Sequence, residues 1–283
     1  AIRRQRQMCI RDSKYTDMEK IFAPNYGLNI NRIEFPVDPY AAFRCDVPNL
    51  STLLYFVVND AFYTKRLPNV QPEEGVVIGS LRKAAEEHPE LIARYYARIA
   101  KTEEDAITAL NTMLAQDGLF IYVPKNVQME KCVQIINILR ADVSMMVNRR
   151  VLIVMEEGAK AKFLFCDHTA DDHDFLATQV IEAYVGDNAS LDLYCMEETH
   201  YKNHRVSNVY IEQQRDSRVN HNVITLHNGV TRNRLDLVFK GEGAENMAGT
   251  VGTVAVVSEV MRQDSSMALN ILFLLSLNIG IMN

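Results

Sequence analysis

A short polar turn returns four times between Arg149 and Glu245 at almost constant spacing, and few folds accommodate such a pattern. The turns are Glu157-Gly158-Ala159, Gly186-Asp187-Asn188, Arg215-Asp216-Ser217 and Gly241-Glu242-Gly243. With Gly158, Asp187, Asp216 and Glu242 as markers, the intervals are 187−158 = 29, 216−187 = 29 and 242−216 = 26. Each interval holds two strand-like runs, at 160–167 and 177–185, then at 190–197 and 206–214. Aligned on the markers, Ala161 meets Ser190 and Val219, Phe165 meets Tyr194 and Val223, Cys166 meets Cys195 and Ile224, and Val180 meets Val209. A repeat of this length marks a solenoid, in which each coil buries against the next a face it could not bury alone. A parallel β-helix would stack those partners about 4.8 Å apart. An antiparallel meander or sandwich also spaces short strands evenly, so periodicity alone leaves both open.

The 283 residues suffice for one large domain or two modest ones, and 48% hydrophobic with 23% charged residues is ordinary globular composition. A formal charge of −6 and a pI near 5.7 argue against nucleic acid as a partner, because phosphate binding relies on a basic face. The five cysteines, Cys9, Cys45, Cys132, Cys166 and Cys195, are odd in number and form no CxxC pair. They indicate neither a disulfide framework nor a zinc knuckle, and the simplest compartment is a reducing cytoplasm. Cys166 and Cys195 are one marker interval apart (195−166 = 29), which predicts a buried thiol ladder on neighbouring coils.

Residues 1–13 are Arg-rich without the apolar core of a signal peptide. The string from Arg6 to Ser13 reads like a translated sequencing adapter, so a non-native leader is expected there. Residues 14–117 read as a mainly helical domain with an irregular start. Leu53 to Val58 could be a strand or a buried helix segment, and periodicity does not choose. Ser80 can cap a helix carrying Leu81, Ala84 and Ala85, and Pro89 can open another carrying Leu91, Ile92, Tyr95 and Ile99. Thr102 and Asp105 form a capping box ahead of Ile107, Leu110, Met113 and Leu114. At Gly118 the composition turns β-branched and aromatic, which sets residues 118–245 apart as the solenoid.

The run Asp167-His168-Thr169-Ala170-Asp171-Asp172-His173-Asp174 is the most metal-like stretch, yet consecutive residues define no coordination geometry, and a solvated loop is the better reading. His200 and His204, between strand candidates, are a weak metal pair, and His221 and His227 default to the rim of a strand. No phosphate loop, GxGxxG after a strand or GxSxG elbow occurs. The residues therefore describe an interaction scaffold, with no catalytic, cofactor-binding or metal residue to assign.

Several ordered motifs carry a resemblance. They are Lys14-Tyr15-Thr16-Asp17, Phe35-Pro36-Val37-Asp38-Pro39-Tyr40, Asp117 through Pro124, Asn148-Arg149-Arg150 ahead of Leu152-Ile153-Val154, and Thr231-Arg232-Asn233 through Glu245. Together they resemble the SufB/SufD family of iron–sulfur cluster assembly proteins, most like its SufD branch. The resemblance implies a mainly β fold, a right-handed parallel β-helix preceded by a small mainly helical N-terminal domain. It also implies a non-catalytic scaffold that pairs with a SufB-like subunit and a SufC-like ATPase to support iron entry and cluster assembly. ATP hydrolysis would then belong to the SufC partner, and an iron–sulfur cluster would reside transiently on the full complex, with none held by this chain. The family's functional cysteine and histidine fall beyond the matching region.

After Glu245 the pattern departs, and residues 246–283 are expected to be a frame-shifted tail. Its apolar run at Leu269–Leu277 is interrupted by Asn270 and flanked by Asn278, too short to span a membrane. A coil left open there predicts association of the isolated chain. Two other readings stand beside the first: a SufB-type paralogue, and a β-helix carbohydrate-active enzyme with carboxylates converging on one groove.

Overall fold

The computed structural model describes residues 16–28, 38–42, 53–68 and 72–252. The leader expected at 1–13 lies outside the described residues, and so does the expected tail from 253 on, but residues 246–252 continue the stack as a strand paired in parallel with 219–225, so the coil does not stop at Glu245. The first elements are helix α1 (Met18–Phe22), strand β1 (Gly27–Leu28) and helix α2 (Pro39–Ala42). Strands β2 (Leu53–Val58), β3 (Ala61–Phe62) and β4 (Val77–Ser80) precede helices α3 (Leu81–Glu87), α4 (Pro89–Tyr95) and α5 (Ala106–Leu114). Then come β5 (Leu119–Val123), β6 (Val133–Leu139), β7 (Met145–Met155), β8 (Lys160–Thr169) and β9 (Phe175–Val185). The series ends with β10 (Ser190–Glu198), β11 (Asn203–Gln213), β12 (Arg218–His227), β13 (Val230–Phe239) and β14 (Glu245–Gly252).

From β5 onward, successive strands alternate between two walls. One sheet runs β13-β11-β9-β7-β5-β4, and the other runs β14-β12-β10-β8-β6-β2-β3. Pairings between coils are parallel. The chain is thus a β-solenoid of about four turns, and the meander and sandwich are excluded. Leu53–Val58 resolves as a strand laid parallel on β6, so the stack draws one strand from the segment before residue 118. Apolar residues from both walls, among them Ile135, Ile153, Phe163, Ile181, Leu191 and Ile211, fill the space between them.

The register is where sequence alignment slipped. Ala161 lies opposite Leu191, not Ser190, and Leu191 lies opposite Val219, so successive steps are 191−161 = 30 and 219−191 = 28. The repeating unit of the turn is its left-handed residue. Positive φ falls on Asn126, Gly158, Asn188, Asp216 and Gly243, with steps 158−126 = 32, 188−158 = 30, 216−188 = 28 and 243−216 = 27. Glycine, asparagine and aspartate are the residues that reach this conformation at low cost, and each turn supplies one. At Gly158 a Cβ would come 2.4 Å from Asn126 Oδ1 of the preceding coil.

Choosing Asp187 instead of Asn188 as the marker moved the partners by one residue, and one residue inverts a strand's faces. Cys195 consequently stacks between Phe165 and Val223 inside the solenoid. Cys166 stacks between Ile136 and Met196 in a cluster with Phe56 and Ile138 on the other face of the same wall. The expected thiol ladder does not form.

Helices α3, α4 and α5 cover the outer face of the odd-numbered wall. Leu81 and Ala84 of α3, with Leu91, Ile92 and Tyr95 of α4, pack on Phe120, Leu152, Val154 and Tyr184. Helix α5 is docked differently. Its cap is Asp105, which accepts from Thr108 N at 2.7 Å, and its buried residues are Thr108 and Asn111, while Met113 is 72% exposed. The sheet beneath is polar, which selects the polar side of the helix. Asn111 Nδ2 donates to Arg149 O (3.0 Å) and Thr178 Oγ1 (3.0 Å), and Thr108 Oγ1 and Tyr210 OH share a 2.8 Å hydrogen bond.

Between α4 and α5 the backbone wraps a single side chain. The fully buried Glu182 carboxylate accepts N–H donors from Ala97 (2.9 Å), Arg98 (3.1 Å), Ile99 (3.3 Å) and Ala100 (3.1 Å). It also pairs with Arg150, whose guanidinium lies 4.6 Å from the Tyr96 ring centroid.

Candidate functional site

Toward the corner where the even-numbered strands hand over to the odd-numbered ones, inward positions stop being apolar. Alternation along β8 places Ala161, Phe163, Phe165 and then Asp167 inside, and along β10 it places Leu191, Leu193, Cys195 and then Glu197. The facing strands contribute Arg149 of β7 and Arg205 of β11, and β12 contributes His221 and Thr225.

These groups form one hydrogen-bonded network. Asp167 Oδ1 accepts from Arg149 Nη1 at 2.6 Å and from Asn137 Nδ2 at 2.8 Å, and its Oδ2 lies 2.9 Å from Arg205 Nη1. Arg205 also pairs with Glu197, whose Oε2 accepts from Thr225 Oγ1 (3.1 Å) and Thr231 Oγ1 (2.9 Å). Arg149 Nε donates to Asn59 O at 2.9 Å. Two arginines meet the carboxylates of Asp167 and Glu197, and the buried Asp60 adds a further negative charge acting on Arg149. Burial raises the Asp167 carboxyl, but Arg205, Arg149 and Asn137 outweigh it and hold the group below the usual carboxylate range.

Two nucleophile-type side chains sit in this environment and both are quenched. Burial pushes the Cys195 thiol up to about 12 despite Arg205 beside it. Burial, with Arg205 adding repulsion, pushes His221 down to about 4. At neutral pH the chamber therefore holds a neutral thiol and a neutral imidazole, with no thiolate for nucleophilic attack. Arg149 Nη2, Arg205 Nε, Gln179 Oε1 and His221 Nε2 are buried without a hydrogen-bond partner.

The metal-like stretch is dispersed. Asp167 points into the lumen, while His168 lies 3.9 Å from Glu198 on the other face. Asp171 accepts from Ala141 N at 2.9 Å and lies 3.2 Å from His173 Nδ1. The solvated-loop reading holds for the exposed Asp172 and Asp174 and fails for Asp167 and His168, which are strand residues. His200 stacks on Tyr201 with centroids 4.1 Å apart, and His204 Nδ1 accepts from Val230 N at 3.2 Å. His221 is inside the solenoid, not on a rim, whereas His227 is exposed at the strand end with Nδ1 against Thr199 O. Among the described residues, no group of three or more His, Cys, Asp or Glu is placed to hold a metal ion.

Sequence reading passed over Arg205 and Glu197. Their signal was parity, since each continues an inward column two residues at a time. On the outer face of the even-numbered wall, Asp192 has Lys162 and Lys160 close by and bonds Asn220. The carboxylates of Asp167, Glu182 and Glu197 are buried against arginines.

Family models settle the kinship. The SufBD protein N-terminal region matches residues 7–135, and the SufBD core domain of the SUF iron–sulfur cluster assembly system matches residues 137–270. This chain belongs to the SufBD family. Among curated proteins, the SufBD chain is 30% identical to the iron-sulfur cluster assembly protein SufD of Bacillus subtilis, over 52% of this chain and 34% of that protein. It is 32% identical to a SufBD family protein of Synechocystis, over 42% of this chain and 25% of the relative. A chloroplastic SufBD family protein of Arabidopsis thaliana is also 32% identical, over 42% and 21%. The aligned part thus spans about a third or less of each relative. No helix among the described residues is long and apolar enough to cross a membrane.

Proposed function

We propose that this SufBD chain is a SufD-like scaffold subunit, non-catalytic by itself, that pairs with a SufB-like subunit and a SufC-like ATPase to support iron entry and cluster assembly in the cytoplasm. The observation that carries this reading is the parallel solenoid itself. Stacked coils build a rigid, extended wall suited to holding partners, and the sequence matches both SufBD regions in order along that wall. The absence of a phosphate loop from the sequence agrees with nucleotide hydrolysis in a partner. A neutral Cys195 and a neutral His221 are compatible with a supporting role for this chain.

Co-expression with SufB-type and SufC-type proteins, followed by affinity purification on this chain, tests the proposal. Retention of both partners is expected. A well-behaved chain that retains neither sinks the scaffold reading. Iron binding by the purified chain alone would favour a SufB-type assignment over a SufD-type one.

A further inference from the structure

A cleft of about 500 Å³ opens on the outer face of the odd-numbered wall, where the end of α4 overhangs the polar turns. Its size is that of a small-molecule pocket, roughly 300–1,000 Å³. Tyr95 and Tyr184 form its floor, with ring centroids 4.8 Å apart and Tyr184 OH donating to Tyr95 O at 2.7 Å. Arg94 and Arg98 line it from the helical side, and Glu156 and Glu212 line it from the solenoid side.

The two sides are oppositely charged and do not collapse onto each other. Among the described residues, no ion pair joins either arginine to a carboxylate across the cleft. Arg98, just past the end of α4, folds back on that helix and donates to Ala93 O at 3.2 and 2.8 Å. Arg94 lies 5.2 Å over the Tyr95 ring. Glu157 and Asp187, at the cleft edge, are instead taken up by Lys125 (2.6 Å) and Arg215 (3.3 Å). Charges from both sides act on the floor. Burial raises the Tyr95 phenol, Glu156 and Glu212 add to that, and Arg94 opposes it.

We infer that this cleft binds a small zwitterion of the amino-acid or dipeptide class. The ammonium would face Glu156 and Glu212, the carboxylate would face Arg94 and Arg98, and an apolar side chain would rest on the tyrosine pair. Guanidinium with carboxylate is the strongest such pairing available to a side chain, and a cation near a tyrosine face gains further attraction.

The test is ligand-observed NMR on the full chain with three probes: the dipeptide Gly-Leu, its N-acetyl form and its C-terminal amide. The free dipeptide should bind about tenfold tighter than either blocked form, because each block removes one charge-assisted contact. Arg94→Gln and Glu212→Gln should each weaken it by about fivefold or more at unchanged circular dichroism. Absence of saturation transfer at millimolar dipeptide, equal binding of the blocked probes, or wild-type binding by both variants would overturn the inference. The blocked-probe comparison uses the unaltered chain, so it stands even where a variant folds poorly.

Discussion

Substituting Glu182 by glutamine tests how the helical layer is held to the solenoid. The carboxylate is fully buried and serves five donors, four backbone N–H groups from Ala97 to Ala100 and the Arg150 guanidinium. An amide of the same shape keeps one acceptor oxygen and turns an NH₂ toward donors. It also leaves Arg150 charged, with Thr112 Oγ1 at 2.9 Å and the Tyr96 ring as its remaining contacts. Removing one partner of a buried ion pair costs about 3–5 kcal/mol, and each stranded buried N–H adds about 1–3 kcal/mol. A loss of about 4 kcal/mol is therefore expected, near the low end because some donors keep a shared acceptor. With a urea slope of about 3 kcal/mol/M, the midpoint should fall by more than about 1 M. Tyrosine fluorescence can follow it, since the chain has 12 Tyr and no Trp. Hydrogen exchange should show the amides of residues 97–100 losing protection before those of β9. The double variant Arg150→Met, Glu182→Gln removes the stranded cation and should recover at least about 1 kcal/mol. A single variant within about 0.3 M of wild type, with those amides still protected, would refute the account of the clamp.

His221 predicts an acid-side loss of stability. Its folded value is held near 4 against an ordinary 6.5, so between these pH values the unfolded chain takes up a proton that the folded chain refuses. Stability should fall by up to about 3 kcal/mol as pH drops through that window, and His221→Leu should flatten the slope seen in denaturation at stepped pH. Gly158 adopts φ +68°, and Gly158→Val should destabilise the chain by about 2 kcal/mol or more, whereas Asn188→Gly at the equivalent turn should stay within about 0.5 kcal/mol of wild type. Thermal melts of both variants make the comparison. Cys166 and Cys195 are buried on opposite faces of one wall, so mass spectrometry should find both unlabelled by maleimide in the native chain and unlinked after mild oxidation.

The sequence by itself determined the repeat and the polar turns, because a left-handed turn residue is a local requirement that Gly158, Asn188, Asp216 and Gly243 meet one by one, while the parallel pairing of the strands is what makes that repeat a stack of coils. It also marked α3 through its Ser80 cap and placed the start of α4 at Pro89. The tertiary structure alone decided register. From Met145 to Lys160, Phe175 to Ser190 and Asn203 to Arg218, the stretch spanning an odd-numbered strand and its polar turn keeps one length (160−145, 190−175 and 218−203 are all 15). The return stretch shortens from 175−160 = 15 to 203−190 = 13, so a single period cannot describe the stack. Because side chains alternate with period two, that small difference decides which residues turn inward. It puts Asp167, Glu197, Arg205 and His221 inside with Cys195, and it leaves Cys166 on the opposite face. The same dependence on neighbours set α5, whose polar side is buried because the sheet below it, with Asn148, Thr178 and Asn208, is polar. Inwardness is a relation between coils, and no single coil's sequence contains it.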